Sequence, residues 1–238
     1  MSRMHQQSRL MAALASVISA LAFSAGSAAG QQPGDIPGRC VDPPSTRRSE
    51  IGCYLLSNER VDTVPAGPLY WHLYSYPTRA AAESASAVGG GQDVVTGVVI
   101  EAFGKVWRFT IAGGRWTPSS GQREGIVGPL PVPTAAAYRV RFMEGAFPPH
   151  AGMLTTVHRH SGSEAWFMIS GAQCLRTPDS TMVLRVGEGG VVPSGPAMVL
   201  TSIGPEIRRS FVLVLHDASQ PWLTNTSEWK PTTECPDR

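Results

Sequence analysis

Apolar residues in the second half of the chain fall in short runs at regular spacing. From Ala135 to Asp217 these are "AYRVRFM", "GMLTTVHRH", "EAWFMIS", "AQCLRT", "TMVLRV", "GVVPS", "AMVLTS" and "RRSFVLVLHD". They are five to ten residues long, turn residues separate them, and none has helical periodicity. Eight such segments predict a β-sandwich or small barrel over 135–217. Earlier, "PLYWHLYSYP" (68–77) is aromatic and bounded by prolines, as a strand is. "TRAAAESASA" (78–87) brings helix formers behind Thr78, a plausible N-cap, and "GGGQ" (89–92) ends them. "VVTGVVIEAF" (94–103) and "KVWRFTIA" (105–112) read as two strands meeting at Gly104. Residues 67–112 are therefore expected to form a small β-α-β-β unit. The Gly/Pro/Ser-rich stretch 113–134 reads as a linker, 30–66 as a poorly structured segment, and 218–238 as a C-terminal tail carrying Trp222 and Trp229.

The first residues change the picture of where the protein works. Arg3 and Arg9 precede an apolar run from Leu10 to Phe23 and a small-residue stretch ending at Gly30. That is the layout of a secretory signal peptide over 1–29, cut after Ala29, and the run is too short to span a bilayer. The expected location is secreted or periplasmic, with no membrane span after cleavage. The leader takes two arginines from the 20 Lys+Arg and none of the 18 Asp+Glu, leaving 18 against 18. With the mature chain formally neutral, nothing in the sequence suggests a nucleic-acid footprint or a polybasic membrane patch. Four cysteines in an exported chain imply disulfides, and the spacing favours Cys40–Cys53 with Cys174–Cys235, the second tying the tail to the body.

"GMLTTVHRHSGSEAWFMISG" (152–171) carries the chemistry. Side chains alternate along a strand, so His158 and His160 share a face and Arg159 takes the other. "SGS" (161–163) has turn chemistry, and a hairpin there returns Glu164 towards both imidazoles. Two imidazoles and a carboxylate suit Fe(II), Mn(II), Ni(II), Cu(II) or Zn(II). Trp166 and Met168 share the parity of Glu164 and read as pocket lining or as core filler.

The segment resembles the first motif of the cupin superfamily, G-x5-H-x-H-x3,4-E-x6-G, at Gly152, His158, His160, Glu164 and Gly171. "GEGGVVPSGPAM" resembles the second, G-x5-P-x-G-x2-H, at Gly187, Pro193 and Gly195. The resemblance covers 135–217. It implies a mainly β protein, a double-stranded β-helix (jelly-roll) barrel with a pocket between its sheets, here preceded by the β-α-β-β unit. It departs at the last position, where Met198 replaces the expected histidine. Three readings stay open: a divalent metal on His158, His160 and Glu164 alone; an extra ligand from His150 or His216; or no metal, with Met198, Trp166 and Met168 forming an apolar pocket.

Other residues read as structural. His72 has no neighbour at ligand spacing, and Arg208 and Arg209 read as solvated edge charges ahead of the last strand. No G-x-S-x-G, P-loop or G-x-G-x-x-G is present. Cupins serve many reactions, so the resemblance does not choose one, nor does it decide that the protein is an enzyme. The expected function is binding of, or action on, a small organic molecule at a metal. The rivals are a metal-free small-molecule binder and an envelope interaction domain, and a homodimer is admitted.

Overall fold

The computed structural model describes residues 39–89, 94–149, 152–153, 155–232 and 235. The segment 1–29 expected to be a signal peptide, and His150, one of the candidate extra ligands, lie outside them. The first strand, β1 (Gly52–Val61), precedes β2 (Leu69–Tyr76). A single helix turn and a half, α1 (Arg79–Ser84), follows. Thr78 caps it, its Oγ1 accepting from the Ala81 N–H at 3.1 Å. Next come β3 (Ala87–Gly89), β4 (Thr96–Ala102), β5 (Lys105–Gly113), β6 (Thr117–Pro118) and β7 (Gln122–Leu130).

Strands β4, β5, β2 and β7 form one antiparallel sheet in that order. The stretch 113–134, read as a linker, instead holds β6 and β7, and β7 is the fourth strand of that sheet. Its glycines and prolines disguised it. An edge strand tolerates a proline such as Pro129, and Gly125 leaves room for the Phe167 ring, which a Cβ would meet at 2.3 Å. The segment 30–66 also contains structure, because β1 adds to the barrel.

The remaining strands are β8 (Tyr138–Phe147), β9 (Gly152–Met153), β10 (His158–Arg159), β11 (Gly162–Ser170), β12 (Ala172–Arg176) and β13 (Thr181–Arg185). They are followed by β14 (Gly189–Val192), β15 (Val199–Ile203), β16 (Arg208–Asp217) and β17 (Thr224–Asn225). One sheet has the order β1-β8-β16-β11-β14 and another β13-β12-β15-β9. Leaving out the β1 edge, each holds four strands and the chain passes repeatedly between them. That order is the jelly roll, a double-stranded β-helix, which the resemblance implied where the eight apolar runs predicted only a sandwich or small barrel.

The larger barrel sheet is covered on both faces. Tyr138, Val140 and Phe142 of β8, Ala165 and Phe167 of β11, and Phe211, Leu213 and Leu215 of β16 pack with Trp71, Trp107, Phe109 and Ile111 of the N-terminal sheet. The alternate residues Met143, Phe147, Trp166, Met168, Val212 and Val214 pack inside the barrel with Leu175, Leu184 and Leu200. Double coverage explains why β8 and β16 are buried almost end to end.

Both disulfides, Cys40–Cys53 and Cys174–Cys235, are present. Alkylation under denaturing, non-reducing conditions is expected to label no thiol. Reduction is expected to lower the unfolding free energy by roughly 2–4 kcal/mol per bridge. An unchanged urea midpoint in reductant would show that the bridges carry no stability.

Candidate metal centre and cavity

The hairpin logic of the sequence places three side chains together. His158 and His160 flank Arg159 along and beyond β10, and Glu164 sits on β11 two residues past Gly162. All three are buried, and one ligand atom from each lies within 4.8 Å of the others. The imidazole rings of His158 and His160 are 5.0 Å apart and nearly perpendicular.

Main-chain carbonyls fix both rings. His158 Nδ1 donates to the Thr156 oxygen at 2.9 Å, and His160 Nδ1 donates to the Trp222 oxygen at 2.6 Å. A carbonyl only accepts, so each Nδ1 carries the proton and each Nε2 keeps its lone pair in the neutral ring. His160 Nε2 approaches Glu164 Oε2 to 2.9 Å, yet neither atom has a hydrogen-bond partner of acceptable geometry. Buried lone-pair atoms that converge without bonding each other are what a cation would satisfy, and carbonyl-oriented imidazoles are the usual support of such a site.

Burial holds His158 below the ordinary histidine value against the pull of the Glu164 charge. Burial also opposes protonation of His160, but the adjacent Glu164 outweighs it and the net shift is upward. Glu164 pulls both values upward, and only at His160, whose Nε2 it approaches to 2.9 Å, does the pull exceed the effect of burial.

The second motif lies against the first. Gly195, at φ 106°, donates its N–H to the His160 oxygen at 3.2 Å. Met198 faces His158 directly: each residue's N–H donates to the other's oxygen, at 3.1 and 2.8 Å. Gly171 turns β11 into β12 at φ 66°, where a Cβ would meet the Arg208 backbone at 2.9 Å.

A cavity of about 320 Å³ opens onto the three groups. Its walls are largely apolar, with Met143, Phe147, Leu200, Val212, Trp222 and the bridged Cys40 and Cys53, together with Arg208. Met198, Trp166 and Met168 are not among its lining residues. All three lie in the apolar core shared with Met143, Phe147 and Leu200, Trp166 and Met168 on the inward face that their parity predicted. His216 is buried too, its Nδ1 donating to the Asp217 oxygen at 2.8 Å, and it joins neither the cavity wall nor the three-residue cluster.

Arg208 corrects the sequence reading most. It is 2% exposed and faces into the barrel, whereas Arg209 points out and pairs with Glu50 at 2.6 Å. Trp222 was also missed as a site residue. Its carbonyl orients His160, its ring lies 5.6 Å from that imidazole, and the Arg141 guanidinium sits 4.6 Å from its ring. The tail reaches the site because β17 pairs with β10.

A scan against protein-family models finds no match for the chain, and a search of curated proteins finds none. Solved structures to which it is similar are cupins and double-stranded β-helix proteins. One is a cupin superfamily protein from Desulfitobacterium hafniense, 13% identical over 33% of this chain and 68% of that one, with a TM-score of 0.29. Another is a cupin family protein with a double-stranded β-helix fold from Methanocaldococcus jannaschii, 17% identical over 36% and 76%, TM-score 0.30. A third, with a double-stranded β-helix domain, is from Klebsiella pneumoniae, 19% identical over 37% and 76%, TM-score 0.32. The barrel is a double-stranded β-helix on its own strand order, and these distant likenesses add nothing about the site.

Proposed function

We propose that the chain is an exported protein whose barrel holds one divalent transition metal on His158, His160 and Glu164. In this reading it binds, or acts on, a small organic molecule in the adjoining cavity. The observation that carries the reading is the pair of carbonyl-bound Nδ1 atoms, which leaves both Nε2 lone pairs beside a buried carboxylate. A set of two nitrogens and one oxygen suits borderline divalent ions. When bound, the ion supplies a Lewis acid with positions left open for water or substrate. The chain's own part is to orient the imidazoles and to keep bulk water from the ligands. Export accords with the two disulfides, and among the described residues no helix is long and apolar enough to cross a membrane.

The test is elemental analysis of full-length protein purified without chelator from the extracytoplasmic fraction, with N-terminal sequencing of the same sample. About one transition-metal ion per chain and an N-terminus at Gly30 are expected. Protein that neither carries nor takes up Mn(II), Fe(II), Ni(II), Cu(II) or Zn(II) on titration would make this a metal-free binder. An intact Met1 on cytoplasmic protein would remove export.

A further inference from the structure

Arg208 is a cation without a carboxylate of its own. It opens β16 on the inward face and lines the same cavity as His158, His160 and Glu164. Its Nη1 donates to Gln173 Oε1, its Nε meets no acceptor, and the guanidinium lies 4.3 Å from the centroid of the Phe147 ring. Among the described residues it forms no ion pair. Glu164 reaches it only through space and stands 2.9 Å from His160 instead. Burial pushes the guanidinium down to about 9, which leaves it charged at neutral pH.

A buried, unpaired cation is costly to a fold, and an apolar side chain of similar volume would serve the packing better. The surroundings also make room for it. A Cβ on Gly145 would meet Phe147 at 2.8 Å and Arg208 Nη2 at 3.2 Å, so β8 is bare where the guanidinium lies. Apart from the cluster of His158, His160 and Glu164 and the polar Thr155, Thr156 and Asn225, the cavity wall is apolar, and Arg39, which also lines it, is exposed.

We infer that Arg208 anchors the carboxylate of a small organic acid whose apolar body fills this cavity. A guanidinium's planar fork matches the two oxygens of a carboxylate. A single buried cation balances one negative charge, which favours a monoanion over a phosphate dianion. The inference rests on the proposed reading that the cavity takes a small molecule, and does not depend on the metal.

The probes are benzoate and benzamide, similar in shape and different in charge, with phenyl phosphate as the dianion. Binding is measured by calorimetry on chelator-treated, full-length protein, so that no bond between carboxylate and metal contributes. Benzoate is expected to bind at least tenfold more tightly than benzamide, and more tightly than phenyl phosphate. Arg208→Met is expected to lose the preference for benzoate while keeping the affinity for benzamide. Arg208→Lys keeps the charge without the fork, so it should weaken benzoate binding severalfold, and it serves alone if the Met variant does not fold. Equal binding of benzoate and benzamide, a preference that survives Arg208→Met, benzoate binding untouched by Arg208→Lys, tighter binding of phenyl phosphate, or no binding of any probe would each overturn the inference. Metal content of untreated protein decides the proposed function separately.

Discussion

Alanine at His158, His160 or Glu164 is expected to cut metal affinity by more than about 100-fold, since removing a ligand costs more than the 10- to 100-fold typical of losing an outer partner. Each change also orphans what remains. His160 and Glu164 approach to 2.9 Å inside the barrel, so losing either leaves the other buried without its nearest complement. Met198 allows the opposite experiment. It lies directly across from His158 in a bridge with both main-chain bonds made, and opposed residues of an antiparallel pair project to the same side. Met198→His should therefore bring a third imidazole beside the set and tighten metal binding at least tenfold. Met198→Leu keeps the volume and deletes the sulfur, and it should leave affinity unchanged because the thioether belongs to the apolar core. Metal titration of the five variants followed by elemental analysis reads all of this. Occupancy that survives His158→Ala would place the ion elsewhere, and a loss in Met198→Leu would make sulfur a ligand.

What was legible in the sequence was what alternates locally. The period of two put His158 with His160 and turned Glu164 inward, and the eight apolar runs became the strands of the barrel. The same rule reached further than it was used. Arg208 shares its face with Ser210, Val212, Val214 and His216 along β16, so its inward course was readable once the strand was taken to begin there. A pair of adjacent arginines ahead of an apolar run suggested a solvated edge, and only Arg209 behaves so. Trp222 had no such signal. It acts through a main-chain oxygen brought from 62 residues away by the β10–β17 pairing, and no side-chain pattern encodes a carbonyl's direction. The strand β7 was hidden by composition, since an edge strand that accepts Pro129 and packs Gly125 under a ring looks like a loop. Met198, Trp166 and Met168 show the remaining gap. Parity gives the face, but the depth of a side chain within the barrel is set by neighbouring strands.

Gly162→Ala is expected to destabilise the protein by about 3 kcal/mol or more, at the upper end of the cost of overpacking. Gly162 begins β11 and pairs with His216 on β16. A Cβ there would stand 1.9 Å from the Leu215 oxygen and 2.4 Å from the His216 Cα. Those are backbone atoms of a central strand held on both sides, so no rotamer change relieves the overlap and β11 must move off β16. Glu164 lies two residues further along β11, and the movement carries it away from His158 and His160. A loss of stability should thus appear together with a loss of metal affinity, although no ligand has been altered. For a chain of this size the melting temperature should fall by roughly 6–12 °C. Gly97→Ala is the control, because its Cβ would meet nothing closer than the Thr110 hydroxyl at 3.3 Å, on the edge strand β4. It should stay within about 1 kcal/mol of the parent and keep its metal. Thermal melts and metal titration on both variants decide the matter, and a Gly162→Ala protein as stable as Gly97→Ala would mean that the β11–β16 register does not hold the site together.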